Sequence, residues 1–136
     1  MSVSIRRLGP DDEGVVTALA EGEPQTALLA DEATVFLVAF DGDEPVGFVF
    51  GYELPRRHGA SSILFVYEVD VAESHQRKGI GRRLLDELAA IARERGIGEG
   101  FVLTEADNIP ANRLYESAGG VATAGVVMWD FPYGDA

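Results

Sequence analysis

Residues 69–83 read Val-Asp-Val-Ala-Glu-Ser-His-Gln-Arg-Lys-Gly-Ile-Gly-Arg-Arg and hold the densest chemistry in the chain. A β-rich run, Ile63 to Val71, breaks at Ala72-Glu73-Ser74, and a loop then opens onto a helical pattern. Gly79 and Gly81 let the backbone curl tightly and come close to a ligand. The amide hydrogens of such a loop and of a first helical turn have no intrahelical acceptor, and the positive helix end favours an anion. Arg77, Lys78, Arg82 and Arg83, four of the eleven Lys and Arg residues, gather around them. The chemistry this suits is capture of a pyrophosphate by backbone amides. It is not the dinucleotide fingerprint, because Arg82-Arg83-Leu84 supplies no third glycine, nor a Walker A loop, because the Gly-Lys-Ser/Thr ending is missing.

Carboxylates form the second constellation. Alternation along Val66-Tyr67-Glu68-Val69-Asp70-Val71 puts Glu68 and Asp70 on one strand face and Val69 and Val71 on the other. Glu105 and Asp107 follow the next apolar run, Phe101-Val102-Leu103-Thr104, and Asp130 lies in the last one. With Glu53 these acids fall at or near strand ends, where open α/β sheets bind ligands. Several carboxylates in one cleft attract a small polycationic amine, and that attraction weakens as salt rises.

The elements that must position these groups follow from periodicity. Pro10 with Asp11, Asp12 and Glu13 suits the first turn of a helix whose apolar face carries Val15, Val16, Ala18 and Leu19. Residues 24–30 read as a short second helix. Thr34 to Phe40 and Val46 to Tyr52 read as a hairpin around Asp41-Gly42-Asp43, with a loop at Pro55 and Gly59. Ile80, Leu84, Leu88 and Ile91, with Leu85 and Ala92 beside them, keep one helix face apolar for four turns, and Gly96 ends it after Arg93 and Arg95. Asp107-Asn108 caps a helix with Pro110 in its first turn that runs to Gly119-Gly120, and Val126 to Phe131 reads as a closing strand. The predicted order is α, β, β, β, α, β, α, β. That is an α/β domain with a mixed sheet, antiparallel first and with a crossover later.

Composition narrows the class. The chain has 136 residues, which suits one domain spanning residues 1–136. It holds no Cys and only His58 and His75, so thiol catalysis, disulfides and a histidine-rich metal site are excluded, and no metal is expected. No apolar run approaches the roughly 18 residues of a membrane span, and residues 1–20 show no signal peptide, so a soluble cytoplasmic protein with no membrane partner is expected. A formal charge of −12 argues against nucleic acid as a partner.

Two motifs carry a family resemblance. Gln76-Arg77-Lys78-Gly79-Ile80-Gly81 resembles the Q/R-x-x-G-x-G/A signature of the GCN5-related N-acetyltransferases (GNAT), and Asn108-Ile109-Pro110-Ala111-Asn112-Arg113-Leu114-Tyr115 resembles that family's N-x-x-A-x-x-L-Y pattern. Within the superfamily, Phe36 to Asp41 with Val46-Gly47, Tyr52 to Arg56, Val66 to Val71 and Met128 to Phe131 resemble the class I aminoglycoside 3-N-acetyltransferases. One departure is visible. The family usually has an aromatic after the glycine that ends the Tyr helix, and here Gly119 is followed by Gly120.

The resemblance implies the GNAT fold, an α/β mixed sheet with antiparallel N-terminal strands, a splayed parallel pair and flanking helices. It implies acetyl-CoA as donor and direct attack by an aminoglycoside 3-amine in a ternary complex. Backbone groups of Val69 and Val71 would pair with the pantetheine arm, with a backbone amide near Val71 polarising the thioester carbonyl. Gln76, Arg77, Lys78, Gly79, Ile80, Gly81 and Arg82 would hold the pyrophosphate, and Asn108, Ala111 and Tyr115 would complete the donor site. A Cβ at Gly79 or Gly81 would then block the phosphate oxygens. Tyr115 would serve as general acid to the departing sulfur, and Glu68, then Glu105, as base, with Glu68, Glu105, Asp107 and Asp130 holding the acceptor. His75 is expected to be a loop residue near phosphate, and Trp129 core or a cleft wall. The alternatives are the same chemistry on another amine (a polyamine, amino sugar or protein amine) and a non-catalytic CoA-binding sensor. Because only one closing strand follows Gly120, an unpaired sheet edge is expected, and with it a homodimer that uses the C-terminal segment.

Overall fold

A computed structural model describes residues 2–134. The first element is a strand that periodicity did not announce: β1, Val3–Arg7, pairs antiparallel with β2, Thr34–Asp41. Only Val3 and Ile5 pack toward the core, so its alternation is too short and too basic to stand out. Pro10 lies in the turn before α1, Glu13–Leu19, rather than in its first helical turn. There Asp12 accepts a hydrogen bond from the Gly9 N–H and pairs with Arg6 at 3.0 Å, and together these hold its carboxyl below the ordinary value despite the opposing effect of burial. The expected helix over 24–30 shrinks to one 3₁₀ turn, Ala27–Ala30.

β2 returns through a two-residue turn into β3, Glu44–Leu54, and β3 pairs antiparallel with β4, Ile63–Val71. The helix expected from Ile80 is α2, Ile80–Glu94, and it crosses to β5, Glu99–Val102, which lies parallel to β4. Strand order is β1-β2-β3-β4-β5. β5 begins two residues earlier than its apolar run suggests and stops at Val102, so Glu105 sits in the following loop and not at a strand end. α3, Ile109–Ser117, is the last regular element.

Two cores hold the sheet. On one face Ile80, Leu84 and Leu88 of α2 pack on Val35, Leu37, Val49 and Leu64. On the other, Val16 of α1 and Leu29 of the 3₁₀ turn pack on Phe36, Val38 and Phe50. The order thus differs from expectation at both ends. Val126 to Phe131 forms no strand, because no neighbouring strand receives its backbone, and Trp129 is 78% exposed rather than core. Among the described residues no helix is long and apolar enough to cross a membrane, and no cluster of three or more metal-ligating side chains occurs.

Candidate active site

Between β4 and α2 the chain is pinned before it turns. The His75 ring lies 2.9 Å from Asp41 Oδ2 through Nε2 and 2.7 Å from Ser74 Oγ through Nδ1, tying the loop to the end of β2. Gln76 Nε2 donates to the Val71 carbonyl at 2.9 Å. Arg77 and Gly79 then both adopt left-handed backbone, φ +62° and +79°, and alternation of this kind turns successive amides toward one side. Glycine accepts that conformation freely, whereas Arg77 is strained by about 1–2 kcal/mol. From Arg77 to Arg82 no N–H makes a backbone hydrogen bond among the described residues, and Arg83 N–H is the first to return, to Gly79 O. Six amides at a helix N-terminus are thus open to an anion. Of the four cations, Arg82 is paired with Asp86 and Arg83 donates to the Val3 carbonyl, while Arg77 and Lys78 have no ion pair among the described residues.

The two motifs meet at one point. A Cβ on Gly81 would stand 3.1 Å from Leu114 Cδ2 and 3.8 Å from Val71 Cγ2, so the end of β4, the first turn of α2 and α3 converge there. The Gly81 Cβ position therefore faces Leu114. Its bar to substitution is packing against Leu114, and the expectation that a Cβ there would block phosphate oxygens is corrected. Gly79 has open space around its Cβ position, and its demand is for backbone alone. Asn108 Oδ1 accepts the Ala111 N–H at 3.2 Å, capping α3, and Asn112 Nδ2 donates to the Glu105 and Asn108 carbonyls at 3.0 and 2.8 Å. Both asparagines shape the loop that launches α3. Tyr115 is half-buried, and burial raises its phenol above the ordinary value, so it stays protonated through neutral pH. Gly120 N–H bonds to Tyr115 O at 2.8 Å, and a Cβ at 120 would stand 2.8 Å from that oxygen. The chain closes on the Tyr115 turn where an aromatic side chain has no room.

β4 and β5 are joined only from Ile63 to Val66 against Glu99 to Val102, and β4 runs on alone to Val71. The Ala72 N–H bonds to Val46 O on β3, so by alternation the backbone groups of Val69 and Val71 face the gap. Val71 is already engaged, its N–H by Asp70 Oδ1 at 3.0 Å and its C=O by Gln76. Val69 has no such side-chain bond.

On the α1 face lies a cavity of about 530 Å³. Its position depends on a β-bulge: Phe50 opposes Glu68 and Gly51 opposes Val66, leaving Tyr67 as the extra residue. A Cβ on Gly51 would stand 2.6 Å from the Phe65 carbonyl oxygen, so only glycine permits this approach. Tyr67, Glu68 and Asp70 therefore all line the cavity, over a floor of Phe36, Phe48, Phe50 and Tyr52. The segment from Ala20 to Gln25 forms its rim and adds Glu21 and Glu23. Burial first, then the negative charges of Asp70 and Glu21, raise the Glu68 carboxyl above its ordinary value. Such a carboxylate is better matched to taking a proton near neutral pH. Glu105 and Asp107 are exposed in the loop before α3, and Asp130 is exposed on the C-terminal segment; none of the three lines the cavity. Glu53 is also absent from it and pairs with Arg95 at 2.6 Å. The sequence reading missed Glu21, Glu23, Tyr67 and the aromatic floor. Only the alternating aromatics of β2 and β3 offered a signal.

Residues 7–120 match the acetyltransferase (GNAT) family. The streptothricin acetyltransferase of Streptomyces lavendulae is 34% identical over 74% of this chain and 48% of its own length. The L-2,4-diaminobutyric acid acetyltransferase of Streptomyces anulatus is 33% identical over 62% of this chain and 47% of its own. The chain thus spans about half the length of these relatives. A crystal structure of an aminoglycoside acetyltransferase from an uncultured soil metagenomic sample is 26% identical with a TM-score of 0.85, covering 98% of this chain and 100% of that one.

Proposed function

This chain belongs to the acetyltransferase (GNAT) family, and from that premise we propose that it transfers an acetyl group from acetyl-CoA to an amine of a small polycationic acceptor, an aminoglycoside 3-amine being the first to assay. The observation that carries the acceptor class is the cavity: Glu21, Glu23, Glu68 and Asp70 stand around an aromatic floor. Four carboxylates over ring faces suit a substrate with several ammonium groups, and the rings offer flat surface to its cations and ring C–H groups. Relatives named for a diamine acid and for aminoglycosides support that class.

The residues present fit the donor. Open amides from Arg77 to Arg82 match a pyrophosphate, with Arg77 and Lys78 beside it, and Val69 offers strand-like backbone to an extended amide chain. Acetyl-CoA supplies the acyl group already activated as a thioester. Glu68 accepts the proton that the attacking amine must lose, directly or through water. As the C–N bond forms and the C–S bond breaks, the Tyr115 hydroxyl delivers a proton to sulfur. No residue carries the acetyl group. Glu105 and Asp107 at the β5–α3 loop, and Asp130 on the C-terminal segment, are secondary carboxylates for the acceptor. The 136 residues act as one domain, and the active form is a homodimer.

Thiol release from acetyl-CoA against a panel of aminoglycosides, diamines, polyamines and peptides is the test. Turnover is expected with multi-amine acceptors and best with aminoglycosides. Best turnover on a peptide or monoamine moves the chemistry to another acceptor, and acetyl-CoA binding without turnover on any amine makes the chain a CoA sensor.

A further inference from the structure

The anion loop holds a strained residue that its own packing does not secure. Arg77, at φ +62°, is the only non-glycine with left-handed backbone among the described residues. Arg77, Lys78 and Gly79 are all exposed, so burial does not fix them. A conformation of this kind persists where its surroundings over-determine it.

The restraint lies at the two ends of the loop. Before it, His75 Nε2 donates to Asp41 Oδ2 at 2.9 Å, and Nδ1 lies 2.7 Å from Ser74 Oγ. After it, the Arg83 guanidinium donates to the Val3 carbonyl at 3.1 Å. Val3 and Asp41 stand opposite each other at one end of the β1–β2 pairing. Both tethers therefore end on a single rung of the sheet. The His75 side chain is 13% exposed and both ring nitrogens are engaged, which leaves no free polar atom for phosphate. Asp41 carries the wrong sign for an anion site, and the bond it accepts accounts for its place there.

We propose that the His75–Asp41 pair and the Arg83–Val3 bond form a clamp that keeps Arg77 left-handed and the loop amides convergent before the donor arrives. His75, Asp41 and Arg83 are thus positioning residues that act through the backbone of residues 77–82. The clamp gives β1, at the edge of the sheet opposite β5, a part in donor binding. It rests on the reading of these amides as the pyrophosphate site.

The sign of one substitution separates a clamp from a charge. Removing the Asp41 carboxylate strengthens anion binding if only electrostatics counts, whereas the clamp requires it to weaken. By calorimetry, His75→Ala and Asp41→Ala should each raise the acetyl-CoA Kd about tenfold, the scale of a charged hydrogen bond. Asp41→Asn keeps an acceptor oxygen, and His75→Gln keeps a donor toward Asp41, so both should recover most of the affinity. Arg83→Ala should weaken binding too, with a loss that persists in high salt, where a surface charge is screened. In turnover the loss should fall on the acetyl-CoA KM far more than on kcat. Trypsin reads the loop without ligand. Cleavage of the apo protein after Arg77 or Lys78 should be about tenfold faster in both alanine variants, with unchanged circular dichroism.

Asp41→Ala that binds acetyl-CoA as tightly as the parent, or more tightly, overturns the clamp. So does His75→Gln binding no better than His75→Ala, a comparison that serves if Asp41→Ala does not fold. Loop cleavage at the parent rate in the alanine variants overturns it as well. A parent protein that binds neither acetyl-CoA nor CoA removes the donor reading instead, and the cleavage rates then decide the clamp alone.

Discussion

Gly81 of α2 and Leu114 of α3 lie so close that a Cβ on residue 81 would stand 3.1 Å from Leu114 Cδ2. Leu114 precedes Tyr115, and Val71 of β4 borders the same spot. The anion loop, the gap-lining strand and the candidate acid are thus held at a single contact.

Gly81→Val should therefore lower stability even without acetyl-CoA, by the roughly 1–3 kcal/mol of an overpacked site. A thermal melt of the apo protein should fall by several degrees, and turnover should fall with it as Tyr115 shifts. An unchanged apo melt combined with lost acetyl-CoA binding would restore the phosphate-blocking explanation.

Glu68 is raised by burial, by Asp70 and by Glu21. Its proton is taken up more readily in the folded chain than in the unfolded one. That difference favours folding below the unfolded pKa and is lost as pH rises through the raised folded value. Glu68→Gln should accordingly raise the melting temperature at neutral pH relative to the parent, and not at acid pH. As the base, Glu68 should also set the acidic limb of turnover, and Asp70→Asn or Glu21→Gln should move that limb to lower pH. An acidic limb unmoved by both changes removes Glu68 as the titrating group.

Tyr115→Phe should lower turnover by about tenfold or more while acetyl-CoA affinity stays within error, as expected for a proton donor. Because burial raises the phenol, the parent enzyme should keep activity above the ordinary tyrosine range of about 10 before losing it. Parent-like turnover in the Phe variant ends the assignment.

The four cavity carboxylates should make the acceptor KM rise with salt while kcat changes little, since screening weakens capture and not chemistry. Glu21→Gln should raise that KM more than Glu105→Gln, because only Glu21 lines the cavity. Equal effects at the two positions would move the acceptor toward the loop before α3.

What the chain disclosed by itself was local. α2 follows from a four-turn apolar stripe, the loop from Gly79 and its cations, the cap of α3 from Asn108. What it withheld was decided across strands. β1 is short, basic and half-buried, so its membership in the sheet rests on the pairing of Val3 with Asp41 through Arg7 with Leu37. Tyr67 shares the side of Glu68 only because the register slips between Phe50 and Gly51, and nothing within residues 63–71 announces that slip. Val126 to Phe131 has every local mark of a strand, yet pairing is a property of two segments, and among the described residues no strand lies beside it.

The order β1-β2-β3-β4-β5, in which each strand lies beside its neighbours in the chain, has a kinetic meaning. β2, β3 and β4 close through a two-residue turn and the loop at 55–62, whereas β5 reaches β4 only after α2 has crossed. Contacts that wait on a longer loop form later. β5 meets β4 along four residues, so it is also the strand that opens at least cost. Hydrogen exchange should find this half of the domain releasing its amides while the three-stranded meander still protects its own. The cleft between β4 and β5 is then late to assemble and early to come apart, and a ligand seated in it would hold the two halves of the fold together.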